Sequence, residues 1–182
     1  RNGQDYVGVN KWDGSQWSQM ASGTTKQLNS VWAMAINNVW AVGANGTIVR
    51  QSGSTWGPET SGTTNNLNSV WGVDQINVWT VGDSGTILRR AGSPNWSAEG
   101  PAGSTTWFRV WGLDATHVWA VGLSNAIYYN NGFVWSKFDS SFGSDWYINI
   151  WGTSLTNFWI VGYFGTGGGI RYNGAGIPKT EA

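Results

Sequence analysis

The chain has one histidine, His117, and no cysteine. A nucleophilic triad needs a histidine between a hydroxyl and a carboxylate, and thiolate metal sites or Cys nucleophiles need cysteine. His117 corresponds, in an internal repeat described below, to Asn38, Asn77 and Asn157, each just before Val or Phe. A residue that alternates with Asn at a turn reads as one that hydrogen-bonds local backbone. The carboxylates do not recur. Asp74 and Asp114 correspond, but Ala35 and Ser154 hold the same place, and Asp83 aligns with Ala44, Leu123 and Tyr163. Calcium needs several converging oxygens, and glycoside hydrolysis needs two positioned carboxylates. Asp139 and Asp145 flank one loop and read as solvated acids. A sialidase would also need an arginine cluster. Arg50 and Arg89 instead share one repeat position with Lys11, Tyr129 and Tyr172, which reads as outward stems covering apolar surface. The expectation is no enzyme, no cofactor and no metal.

What can bind is aromatic. Trp12 stands where other units have Gln51, Ala91 and Asn173, and Trp146 where they have Asn66 and Thr106. Tyr163 and Phe164 replace Ala44-Asn45 and Asp83-Ser84, and Phe133 replaces Ser54. Trp107 replaces Leu28 and Leu67 and reads as core. An exposed aromatic face packs on the C–H face of a pyranose while nearby amides and carboxylates bond its hydroxyls. The candidate ligand-binding residues are therefore Trp12, Asp13, Gln16, Asp145, Trp146, Tyr147 and Tyr163. The alternative is packing between outer strands or an oligomer contact, where aromatics are also enriched.

These residues stand out because the other tryptophans form a lattice. Of 15, one set is Trp32, Trp71, Trp111 and Trp151. A second is Trp40, Trp79, Trp119 and Trp159. A third is Trp17, Trp56, Trp96 and Trp135, with Ile177 in the next place. The period of about 40 residues, with strand-like segments in each unit, is that of a β-propeller. The units span residues 28–66, 67–106, 107–146 and 147–177, with 1–27 completing the last blade, so 1–182 is one domain. Each unit divides into four short strands. Strands one and two are apolar on both faces, as in Val39-Trp40-Ala41-Val42, which suits a sheet between two others. Strand two ends at Gly43, Gly82, Gly122 or Gly162, where glycine permits φ > 0 and a tight passage. No segment has a 3.6-residue apolar period, so almost no helix is expected. The fold class is all-β: a propeller of four-stranded blades. Four blades closed by the N-terminal strand is the parsimonious ring, since Gly8–Lys11 and Trp17 repeat strands three and four and would protect a sheet edge. Five blades, or a share of a larger ring completed by another chain, remain open.

Lys plus Arg and Asp plus Glu number 10 each. That balance argues against nucleic acid, whose non-specific affinity comes from basic surface. No apolar run approaches the roughly 20 residues of a membrane span, and no signal peptide is visible. The chain begins at Arg1, consistent with a processed product or an excised piece. A Trp-rich, turn-rich, weakly charged composition leans extracellular or periplasmic.

The segments Val39-Trp40-Ala41-Val42-Gly43 with Gly46-Thr47-Ile48, and their counterparts Val78 to Ile87 and Val118 to Ile127, resemble bacterial propeller repeats of the Asp-box type. They are similar to photosystem II assembly-factor-like propellers and, more distantly, to tectonin-type lectins. The Asp-box itself is degenerate, closest in Trp12-Asp13-Gly14-Ser15-Gln16-Trp17. The resemblance implies a fold and an assembly or binding role. The expected function is a lectin-like, carbohydrate-binding module. The alternative is a protein-interaction or assembly scaffold. Partners are accordingly a glycan or a protein, with self-association open.

Overall fold

A computed structural model describes residues 8–92, 94–101, 103–138, 146–164 and 167–172. A hairpin of β1 (Val9–Trp12) and β2 (Trp17–Met20) comes first. The first blade is β3 (Leu28–Ala35), β4 (Asn38–Gly43), β5 (Ile48–Ser52) and β6 (Thr55–Glu59). The second is β7 (Leu67–Gly72), β8 (Val78–Gly82), β9 (Ile87–Arg90) and β10 (Trp96–Ala98). The third is β11 (Trp107–Asp114), β12 (His117–Gly122), β13 (Ile127–Asn130) and β14 (Trp135–Lys137). The fourth has β15 (Trp146–Ser154), β16 (Asn157–Phe164) and β17 (Gly167–Tyr172). Every sheet is an antiparallel meander in chain order. The one helical element among the described residues is the 3-10 turn Ala44–Gly46. The chain is therefore an all-β, four-blade propeller fold, as the repeat predicts.

The two inner strands of each blade pair tryptophan against tryptophan: Trp32 with Trp40, Trp71 with Trp79, Trp111 with Trp119, Trp151 with Trp159. The second tryptophan of the first three pairs is buried in the joint to the next blade. Each buried indole removes roughly 150–250 Å² from water, roughly 4–6 kcal/mol before entropy is charged. Trp40, Val42 and Ile48 meet Leu67, Val70, Val78 and Trp96 in the first joint. Trp79, Val81 and Ile87 meet Trp107, Val110, Val118 and Trp135 in the second. Trp119, Val121 and Phe138 meet Tyr147, Ile150, Phe158 and Ile160 in the third.

Glutamate-centred contacts repeat in the first two joints and, among the described residues, are replaced in the third. Glu59 accepts from Trp40 Nε1 at 3.2 Å, Trp96 Nε1 at 2.9 Å and Arg90 Nε at 3.1 Å. Glu99 accepts from Trp79 Nε1 at 2.9 Å, Trp135 Nε1 at 3.3 Å and Arg89 Nη1 at 3.0 Å. Arg50 and Arg89 lie over the rings of Trp40 and Trp79, at 4.8 and 5.0 Å. This corrects the reading of that position as an outward stem: the guanidinium is a cation–π and carboxylate partner inside the joint. In the third joint Tyr129 and Phe138 replace Arg and Glu, and Trp119 Nε1 has no partner among the described residues. At the inner strands Asn29 and Asn68 donate to the carbonyls of Leu67 and Trp107 in the next blade, both at 2.9 Å. Phe108 and Ile148 hold that place in the other two blades.

The glycine closing strand two has a different cause from the one expected. Gly43 is extended, with φ −172°. A Cβ on Gly43, Gly82, Gly122 or Gly162 would stand 1.8, 1.9, 2.3 or 1.9 Å from a carbonyl oxygen at the start of strand one of the same blade, that of Gln27, Asn66, Thr106 or Trp146. Close backbone approach requires glycine here, not a positive φ.

Residues 1–27 were expected to complete the last blade. Among the described residues β1 pairs with β2 alone, as a separate sheet. It lies beside the first blade: Gly8, Val9 and Asn10 share a groove with Leu28–Val31, Ala41 and Arg109 of the third blade. The reason is the repeat itself. Each outer strand pair leads into the next blade, so β1–β2 takes the place of an outer pair preceding blade one. Among the described residues the inner parts of the first and fourth blades are more exposed than their counterparts. Val31 is 59% exposed, whereas its counterparts Val70, Val110 and Ile150 are at 5, 2 and 2%. Trp151 is 60% exposed, whereas Trp111 is at 8%.

Candidate functional site

The topology separates the sequence candidates. Strand order puts the β1–β2 turn at the end of the sheets that also carries the strand one–two turns. Trp146 and Tyr163 lie at the opposite end.

In the β1–β2 turn, Asp13 Oδ1 accepts from Ser15 N, Ser15 Oγ and Gln16 N at 2.8, 2.9 and 2.9 Å. Gly14 supplies the positive φ, +106°. The N–H groups of Gln16 and Ser15 hold the Asp13 carboxyl below the usual carboxylate range. Asp13 thus builds the turn. Trp12 and Trp17 are both exposed, with ring centroids 5.6 Å apart and tilted by 51°. Trp17 belongs to the lattice, and its counterparts Trp96 and Trp135 are buried. Among the described residues no preceding sheet covers it.

At the other end, Trp146 pairs with Tyr163 across β15 and β16. Both side chains are exposed, and their rings stand edge to face, 6.2 Å apart at 87°. Tyr147 belongs elsewhere. It is 1% exposed, lies in the third joint, and donates its hydroxyl to Asn125 Oδ1 at 3.3 Å. Alternation explains this: neighbours on a strand face opposite ways. Asp145, like Asp139, lies outside the described residues.

His117 sits in the β11–β12 turn. Its Nδ1 is 2.8 Å from Asp114 Oδ1, which also accepts from Thr116 N and Thr116 Oγ1 at 2.8 and 2.7 Å. Partial burial pushes the Asp114 carboxyl up, but these Thr116 and His117 contacts outweigh it and leave it below the ordinary value. A carboxylate only accepts, so Nδ1 carries the proton. No group of three or more His, Asp or Glu placed to hold a metal occurs among the described residues. A groove of about 700 Å³ runs past Thr24, Asn45, Thr60, Ser61 and Thr63. Its hydroxyls already serve local turns: Ser61 Oγ donates to Thr63 O, and Asn65 N to Thr63 Oγ1.

No protein-family model and no curated protein matches the sequence. Solved structures do. A structure of YCF48 bound to D1 peptide superposes with TM-score 0.60 at 14% identity, over 82% of this chain and 52% of that one. YCF48 from Cyanidioschyzon merolae superposes with TM-score 0.60 at 16% identity, over 82% and 58%. At this identity the likeness shows the propeller fold, in keeping with the assembly-factor-like resemblance read from the repeats. Neither structure speaks to the Asp-box or tectonin resemblance. The chain spans little more than half the length of these structures. Among the described residues no helix is long and apolar enough to cross a membrane.

Proposed function

We propose that the chain is a non-enzymatic binding scaffold that takes a polypeptide segment, the alternative in the sequence reading and not its lectin reading. The observation that carries this is the Trp146–Tyr163 pair. Two exposed rings set edge to face leave a notch that suits an apolar or aromatic side chain. Pyranose stacking asks for a flat face ringed by polar groups, and the adjoining Tyr147 hydroxyl is already engaged. The peptide bound to a propeller of similar fold is in line with this reading.

A carbohydrate ligand is the second reading. It is favoured by the tilted Trp12–Trp17 pair beside the exposed Gln16. A displayed peptide library and a glycan array, applied to the same protein, separate the two. The expected result is a selected peptide whose affinity falls about 30-fold in Trp146→Ala or Tyr163→Ala, the weight of an interface hot spot. A silent library together with a glycan signal lost in Trp12→Ala would replace the peptide reading with the carbohydrate one.

A further inference from the structure

The Trp146–Tyr163 pair occupies a position that stays open in every blade. The first three blades place Gln27 beside Ala44, Asn66 beside Asp83 and Thr106 beside Leu123, with the second residue's N–H donating to the first residue's carbonyl. These residues are exposed or half-buried although another blade follows each of them. The position therefore lies at the end of the sheets and outside the joints, and a sheet following the fourth blade leaves it at the surface. In the second blade the pair closes on itself, with Asn66 Nδ2 donating to Asp83 Oδ2 at 3.0 Å. In the fourth it does not. The indole N–H of Trp146 and the hydroxyl of Tyr163 have no partner among the described residues. Both rings are exposed, and they meet at 87°.

The notch thus offers two angled ring faces and two free hydrogen-bond donors, of which the indole N–H cannot accept. That chemistry selects among backbone conformations. A helix spends its carbonyls on itself, and an extended strand brings N–H groups that an indole cannot serve. A polyproline II segment has no internal hydrogen bonds, so its carbonyls are free to accept. Its prolines carry no N–H that would need an acceptor. The conformation is also fixed before binding, so little chain entropy is lost on docking against aromatic rings. Resting on the polypeptide reading above, we infer that the segment taken by the Trp146–Tyr163 notch is proline-rich and binds as a polyproline II helix. A proline ring seats on the indole face against the Tyr163 ring. Trp146 Nε1 and Tyr163 Oη donate to the carbonyls beside it.

Two displayed libraries of equal diversity test this, one with a fixed Pro-x-x-Pro core and one that excludes proline. The expected result is enrichment from the first library alone. The affinity of a selected peptide should fall about 30-fold in Trp146→Ala. Tyr163→Phe keeps the ring and removes the hydroxyl, and should weaken binding about threefold to tenfold, the weight of one hydrogen bond. Circular dichroism should be unchanged in both variants, since both side chains are exposed. If Trp146→Ala disturbs the spectrum, Tyr163→Ala addresses the same notch. Proline-free peptides that bind equally well and lose affinity in the same variants would overturn the proline inference and leave the polypeptide reading standing. Enrichment from neither library would overturn both. A proline-rich peptide indifferent to these substitutions would place its site elsewhere and overturn the inference as well.

Discussion

Glu59 joins two blades through three donors, and its side chain and that of Arg90 are each only 6% exposed. Removing it leaves the Trp40 and Trp96 N–H groups and the Arg90 guanidinium without their acceptor. Breaking a buried ion pair from one side costs about 3–5 kcal/mol. Glu59→Ala should therefore lower the urea-unfolding free energy by about that amount. Glu99→Ala should cost less, about 1–3 kcal/mol, because the Glu99 and Arg89 side chains are 26 and 25% exposed and water screens part of the pair. The sequence reading used the tryptophans to mark the repeat and left their N–H groups uncounted. The signal was nevertheless present. Glu59 and Glu99 follow the third tryptophan set at one fixed spacing, and Phe138 takes that place where Tyr129 has replaced the arginine. Two positions thus change together when a joint passes from polar to apolar.

At the scale of elements, the turns rest on carboxylates. Asp74 accepts from Ile76 N, Asn77 N and Asn77 Nδ2, each at 2.8 Å, as Asp114 and Asp13 do in their own turns. Partial burial pushes the Asp74 carboxyl up, yet the Asn77 amide and the two N–H groups outweigh it and hold it below the ordinary value. A carboxyl depressed in the folded state contributes stability above its unfolded pKa, about 4. That stability is lost as pH falls through the lower folded value. Stability measured by urea should be flat from neutral pH down to about 4 and decline below it, and Asp74→Asn should remove part of the decline. The strands and their order could be read directly, because tryptophan spacing and terminal glycines mark every inner pair. The cause of those glycines could not, since a carbonyl oxygen 1.9 Å from a virtual Cβ on Gly82 appears only once strand one is laid against strand two. The candidate surface was half legible for a similar reason. Trp146 and Tyr163 stood out by breaking the repeat, whereas the inward turn of Tyr147 depends on the face β15 gives to blade three.

For the molecule as a whole, counting strands found the surplus β1–β2 pair but not where it would lie. Strand counts are the same for a closed ring and an open arc, and only the angle between blades separates them. The joints also differ in thermodynamic kind. The first two hold glutamate–arginine pairs, whereas the third is mostly packed rings, with Phe158 5.4 Å from Trp119 and 6.3 Å from Phe138. Apolar attraction weakens on cooling, so the three joints do not share one temperature of greatest strength. The fourth blade is therefore expected to loosen first on cooling. Amide exchange in β15 and β16, relative to β7 and β8, should speed up several-fold more than in β11 and β12 when the protein is brought from room temperature to near freezing. Heat and cold then take this chain apart from different places: warmth finds whichever joint has least reserve, and cold finds the one that exchanged its carboxylate for a phenyl ring.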